Sequence, residues 1–130
     1  MKAISIKQPW ASLIAHGIKD IENRTWKCPQ KYIGQRMLIH ASKGKGDGWV
    51  LNEKQGLKLQ MHPSNLRSIF YEDLPFGAII GSVVIADCVQ NHPSVWADKG
   101  CWNWVLKDAV LFDKPIMNVK GKLSFWEYKL

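Results

Sequence analysis

Apolar and polar positions alternate from the start of the chain. In Lys2-Ala3-Ile4-Ser5-Ile6-Lys7 the two isoleucines fall on one face, which predicts a first strand. The period then changes. Trp10, Leu13, Ile14 and Gly17 recur at i, i+3, i+4 and i+7, the mark of a short amphipathic helix. Pro9 suits its first turn, His16 would be its last residue with a solvated imidazole, and Gly17 can close it in the left-handed conformation. A second strand is expected over residues 18–25 and a buried third over 36–42. Residues 49–60 have helical content that Gly56 would interrupt, and a further short helix is expected over 65–70 with Ser64 as its N-cap. The clearest strand is 76–89. It is β-branched and almost continuous, as in a strand buried on both sides or crossing a barrel, and Gly77 and Gly81 permit bends. In residues 101–106 Trp102, Trp104 and Leu106 share one side, and the pattern runs on to Phe112 before Pro115. A last strand follows a turn at Gly121, over residues 120–128. The sum is about six strands and two or three short helices, an α+β fold that is mostly β, and its order fits a small, partly open barrel with helices plugging one end.

A chain of 130 residues fits one domain spanning 1–130, long enough for its own core. The longest apolar-rich run, 76–89, is broken by Gly81, Ser82 and Asp87 and falls short of the ~20 residues a membrane-spanning helix needs. The N-terminus has no apolar run of signal-peptide length. Cys28, Cys88 and Cys101 form no CxxC, and no histidine pair has zinc-finger spacing, so reduced thiols in a cytoplasmic protein are expected. Oligomeric state is not encoded in any of these features.

Charge changes the picture more. Lys2, Lys7, Lys19, Arg24, Lys27, Lys31, Arg36, Lys43 and Lys45 face only Asp20 and Glu22 within the first 45 residues, which accounts for the whole net charge of +7. Positive charge gathered in one region favours a polyanion, with nucleic acid the first candidate. An uneven charge that serves only solubility is the plainer alternative.

The centre of that region is residues 17–26, Gly-Ile-Lys-Asp-Ile-Glu-Asn-Arg-Thr-Trp. In an extended chain Asp20, Glu22 and Arg24 share one face and Lys19, Asn23 and Thr25 the other, but a bend at Gly17 would let Lys19 swing toward Glu22. Charges of both signs beside the Trp26 ring suit a flat, polar, anionic ligand. The plainer alternative is an edge strand whose Lys19 and Glu22 merely pair at the surface, worth ~0–1 kcal/mol. Further along, His40, Ser42 and Lys43 stand where the third strand gives way to a loop with Gly44, Lys45, Gly46, Asp47 and Gly48, which matches no P-loop. Asp87 would place a carboxylate in an apolar setting near the end of the long strand.

Ser5-Ile6-Lys7-Gln8-Pro9-Trp10-Ala11 followed by Gly17, Lys19, Glu22 and Arg24 resembles the ASCH domain family, whose signature is Gly-x-Lys-x-x-Glu-x-Arg. The 81–87 strand, the 104–115 segment and Gly121-Lys122-x-x-x-Trp126 extend the resemblance over nearly the whole chain. It implies a PUA-like pseudo-barrel with a cleft beside the first helix and the signature on its wall. Roles it implies are RNA binding, RNA cleavage in some members and hydrolysis of an acetylated cytidine nucleoside in others. In that last branch a Thr stands where this chain has Glu22, and Thr25 lies three residues on.

Three functions follow. The first is binding of RNA or a nucleotide, with Lys19, Arg24 and Lys43 attracting phosphate, Trp10 or Trp26 stacking a base, and Glu22 accepting from an exocyclic amine. The second is hydrolysis of that ligand, a ribonuclease ahead of an N4-acetylcytidine amidohydrolase, with Lys19, Glu22 and Arg24 as the catalytic candidates and Trp10, Trp26, His40, Ser42, Lys43 and Asp87 around the substrate. His40 or Lys19 would be its general base. No cofactor is required, and a divalent metal would draw on Glu22 and Asp87, with Asp20 behind them. The third is a non-catalytic module that recruits a protein partner or regulates transcription.

Overall fold

The N-terminal alternation becomes β1 (Lys2–Ile6), which turns Ala3, Ile4 and Ile6 into the interior. The computed structural model describes residues 1–44, 50–66 and 68–130. Its other strands are β2 (Ile21–Arg24), β3 (Arg36–Ala41), β4 (Ala78–Val89), β5 (Trp102–Ile116) and β6 (Phe125–Glu127). They form a six-stranded sheet in the order β2-β5-β4-β3-β1-β6, curled into a half-barrel. β1 and β3 run parallel, and the other neighbours run antiparallel. The fold is therefore mostly β and of the small PUA-like pseudo-barrel type. The β4–β5 register shifts at three places and β3–β4 at one. Such bulges bend a strand and add twist, which is how two long strands wrap a small core.

The helix α1 (Trp10–Ala15) packs over β3, β4 and β5. It buries Ala11, Leu13, Ile14 and Ala15, and the sheet answers with Ile39, Ile80, Ile85 and Trp104. Pro9 precedes α1 rather than entering its first turn, and the Gln8–Pro9 peptide is cis. The buried Gln8 side chain serves the helix start instead. Its Oε1 accepts from Ser12 N–H at 2.9 Å, while Nε2 donates to Ser12 Oγ at 2.7 Å and to the Pro75 carbonyl at 3.0 Å. His16 is half-buried, not solvated, and its Nδ1 meets Ser64 Oγ.

Several expectations shift in physically readable ways. β2 begins at Ile21 because residues 17–20 are spent on the turn that leaves α1. The second helix, α2 (Glu53–Met61), passes through Gly56 unbroken and starts from a capping box between Asn52 and Gln55. Residues 65, 66, 68 and 69 are not helical. Ser64 Oγ accepts from Leu66 N–H in a local turn, and the one-turn helix comes later, at Tyr71–Asp73. β5 runs on through Pro115 because β2 pairs only with residues 102–105, so the far half of β5 has a neighbour on one side alone. An unpaired strand edge is where a proline costs no ladder hydrogen bond. Asp87 is exposed rather than set in apolar surroundings. The register shift between Ile85 and Asp87 breaks the alternation there, and Asp87 Oδ1 accepts from its neighbour's Cys88 N–H at 2.8 Å. Among the described residues no helix is long and apolar enough to cross a membrane.

Candidate functional site

The site is built by the way α1 ends. Gly17 has φ +76, its N–H donates to the Ile14 carbonyl at 2.9 Å, and Ile18 N–H donates to the Leu13 carbonyl at 2.9 Å. This is a Schellman closure, with Ile18 packed in the same apolar cluster as Leu13. A β-carbon at φ +76 is strained, so the position calls for glycine. The closure reverses the chain and delivers Lys19 to the interior, where it is 6% exposed.

Lys19 Nζ donates to the Ile21 carbonyl, lies 4.0 Å from Glu22 Oε1, and sits 5.6 Å above the Trp10 ring. Burial pushes its pKa below the ordinary lysine value. Glu22, Asp98 and Asp20 pull it partly back, and Arg24 adds to the lowering. Glu22 is also buried, and its Oε2 is held by Arg24, from Nε at 2.9 Å and Nη2 at 2.8 Å. Arg24 Nη2 also donates to the Ser5 carbonyl at 2.9 Å, which anchors the row to β1. Lys19, Glu22 and Arg24 thus form one line, with a carboxylate shared between two cations. Asp20 does not join it, because its Oδ1 accepts from Ser94 Oγ at 2.6 Å on the exposed side.

Asn23 fixes the opposite wall. Its Nδ2 donates to the Trp96 carbonyl at 3.0 Å, and its Oδ1 accepts from Asp98 N–H at 3.0 Å and from the buried Asn103 Nδ2 at 2.9 Å. The segment between β4 and β5 is thereby strapped along β2. Two hollows result. One, of about 480 Å³, lies between α1, α2 and the strap and is lined by Trp10, Lys19, Glu22, Asn52, Gln55, Trp96 and Asp98. The other, of about 410 Å³, is lined by Lys7, Arg24 and Lys122 with the hydroxyl residues Ser5, Ser42 and Ser124. Trp10, Glu22 and Asn23 line both, so the hollows adjoin.

The structure brings Lys19, Glu22, Arg24, Trp10 and Ser42 together. Four other candidates stand elsewhere. Trp26 packs edge-on against Trp104 at 4.8 Å and Phe125 at 6.0 Å, as part of the core wall. His40 is 1% exposed. Its Nε2 donates to the Val119 carbonyl at 2.7 Å, which leaves Nδ1 to accept from Ser5 Oγ at 2.9 Å, so neither nitrogen is offered to a ligand. Lys43 is exposed and lays its alkyl chain over Gly77. Asp87 faces outward, as described above. Lys45, Gly46, Asp47 and Gly48 lie outside the described residues. Among the described residues no three of His, Cys, Asp and Glu gather closely enough to hold a metal ion.

Trp96, Asp98, Asn52 and Gln55 were not among the candidates, and of these only the Asn52-x-x-Gln55 spacing, a capping-box pattern, carried a local signal. Lys7 and Lys122 were visible as part of the basic N-terminal region and of the closing Gly-Lys pair, but nothing in the sequence placed them together.

A family profile described as the ASCH domain matches residues 4–115. The human protein named Activating signal cointegrator 1 is 33% identical over 88 residues, which is 68% of this chain and 14% of that protein. The mouse protein of the same name is 31% identical over 88 residues, with the same coverage of 68% and 14%. The matched stretch is a small part of the length of both curated relatives.

Proposed function

The chain belongs to the ASCH domain family, and from that premise we propose that its double cleft binds single-stranded RNA, a base in the larger hollow and the adjoining phosphates in the smaller. The observation that carries this reading is the meeting of the two hollows at Trp10, Glu22 and Asn23. One side offers an aromatic ring and fixed polar groups, the other offers cations and hydroxyls. Those are the two halves of a nucleotide's chemistry, placed side by side. Stacking on an aromatic ring is worth ~1–3 kcal/mol per base. Glu22 Oε1 and the Asp98 carboxylate are acceptors for an exocyclic amine such as cytosine N4. Lys7 and Lys122 are the counter-charges for phosphate, because Arg24 is already shared with Glu22. The association of the ASCH family with RNA binding points the same way.

A second reading, RNA hydrolysis, is favoured by one feature, the lowered pKa of Lys19 at the cleft floor. A neutral Nζ would take the proton from a ribose 2′-hydroxyl as its oxygen bonds to phosphorus, while the bond from phosphorus to the 5′-oxygen of the next nucleotide breaks and that oxygen takes a proton from water. His40, with both nitrogens engaged inside the fold, does not serve as the base.

Retention of labelled single-stranded RNA, followed by anisotropy against salt, tests the binding reading. Salt-sensitive retention that weakens in Trp10→Ala and in Lys7→Ala/Lys122→Ala supports it, and no retention at low salt sinks it. Electrophoresis of the same samples tests the second reading. RNA fragments that vanish in Lys19→Ala support hydrolysis, and intact RNA argues for binding alone. Acetate release from N4-acetylcytidine would instead favour the amidohydrolase.

A further inference from the structure

The outer side of α2 is open to solvent. None of its residues is buried. Its inner side is nonetheless committed. Leu59 packs with Leu51 and Leu66 on the cluster of Leu13, Ile18, Ile21 and Trp96, and Gln55 Nε2 donates to the Val95 carbonyl at 2.8 Å. The outer side carries Leu57, 49% exposed, and Met61, 80% exposed. These two are four residues apart and so stack on one stripe. Lys54 and Lys58, also four apart, form the stripe beside it. With Pro63 and Val95 opposite, they bound a groove of about 490 Å³ that is separate from the double cleft.

We infer that this groove docks an acidic amphipathic helix of a partner protein, its apolar side chains seated on Leu57 and Met61 and its carboxylates meeting Lys54 and Lys58. Three observations select this occupant. The floor is aliphatic, with a methionine that adapts its shape to what it meets, which suits apolar anchors spaced three and four apart on a helix. The rim is basic, and among the described residues lining the groove none is acidic, so charge complementarity asks for Asp and Glu. The described lining has no Trp, Tyr or Phe, and its one ring is the His62 imidazole, whose Nδ1 accepts from Ser64 N–H at 3.1 Å, so the groove lacks the indole that the double cleft offers a base. A second copy of this chain would bring the same lysines against each other on a molecule of net charge +7. This inference stands apart from the RNA reading and survives its failure.

The test uses the full chain and two labelled synthetic helices. One is built of Glu, Ala and Leu, with its leucines on one face. The other is identical except that Lys replaces each Glu. The acidic helix is expected to bind and the basic one not. Leu57→Asp and Met61→Asp, both at exposed positions, are expected to weaken the acidic helix by about tenfold or more. Lys54→Glu/Lys58→Glu should do the same and remove the salt dependence, with thermal unfolding close to the parent's and RNA retention unaltered in all three variants. Equal binding of both helices, or no loss in the variants, overturns the inference. So does a loss of RNA retention in Lys54→Glu/Lys58→Glu without a change in helix binding, which would make the groove a nucleic-acid surface. A dimer by light scattering that dissociates in Met61→Asp would give the groove to a second copy and overturn it as well.

Discussion

Lys19 concentrates the chemistry of the site in one side chain. A lysine kept from water loses its proton at lower pH in the folded protein than in the unfolded chain. Between the two pKa values the unfolded state binds more protons, so stability rises with pH across that window. The cost of burying the charge is fully present below the folded pKa and is gone above the ordinary lysine value of 10.5. Lys19→Met leaves Glu22 with Arg24 and removes the titration. Urea unfolding at stepwise higher pH is expected to show the parent gaining stability relative to Lys19→Met as pH rises. Parallel curves would mean that Lys19 titrates as in water. A second residue, Gly121, makes a purely steric prediction. A β-carbon there would stand 2.5 Å from Ser5 Oγ and 2.7 Å from His40 Cε1. Those atoms belong to a chain in which Trp126 Nε1 donates to Ser5 Oγ and His40 links Ser5 to Val119. Gly121→Ala is expected to destabilise by about 1–3 kcal/mol, the usual cost of overpacking, and differential scanning calorimetry would read it.

At the scale of elements, the site depends on a turn and a strap. The turn was legible in the sequence. The helical period of Trp10, Leu13 and Ile14 followed by Gly17 is local information, and it leads directly to the placing of Lys19. The long strands β4 and β5 were legible for the same reason, as was the side shared by Trp104 and Leu106, which the fold buries. Asp87 was misread because alternation predicts facing only until a bulge, and bulges leave no mark in a hydrophobic pattern. The strap was illegible for a different reason. Trp96 and Asp98 reach the cleft through hydrogen bonds to Asn23, which is 73 and 75 residues away in the chain. Polar pairing over such a distance has no period to detect. Asn23→Ala removes these partners and one of the acceptors of the buried Asn103 Nδ2, which keeps the Asp98 carbonyl at 3.1 Å, a loss on the order of 1–3 kcal/mol for the buried donor hydrogen left unpaired. Hydrogen exchange is expected to quicken at the Asp98 amide, whose N–H loses its acceptor, while β3 and β4 keep their protection. Unchanged exchange at Asp98 would show that the strap is held by packing alone.

Across the whole molecule, the positive charge that is contiguous in sequence is dispersed in space. Lys2 lies 3.8 Å from Glu127, Lys27 and Lys31 lie over the rings of Trp102 and Tyr32, and Arg36 bonds Ser82 and the Asp108 carbonyl. Lys19 and Arg24 share Glu22. The smaller hollow keeps Lys7, and the fold adds Lys122 from the other end of the chain, which no count over residues 1–45 could supply. A net charge of +7 therefore overstates the number of cations that would face phosphate in the cleft. Each phosphate neutralised on a single strand contributes about 0.7 to the slope of log affinity against log salt. If Lys7 and Lys122 each meet one, Lys7→Ala/Lys122→Ala lowers that slope by about 1.4. Lys2→Ala, at the far end of β1 and paired with Glu127, is expected to change it little. Equal slopes for the parent and the double variant would place RNA elsewhere on the surface. Equal losses in the double variant and in Lys2→Ala would mean that the charge acts as a diffuse field and not through the cleft.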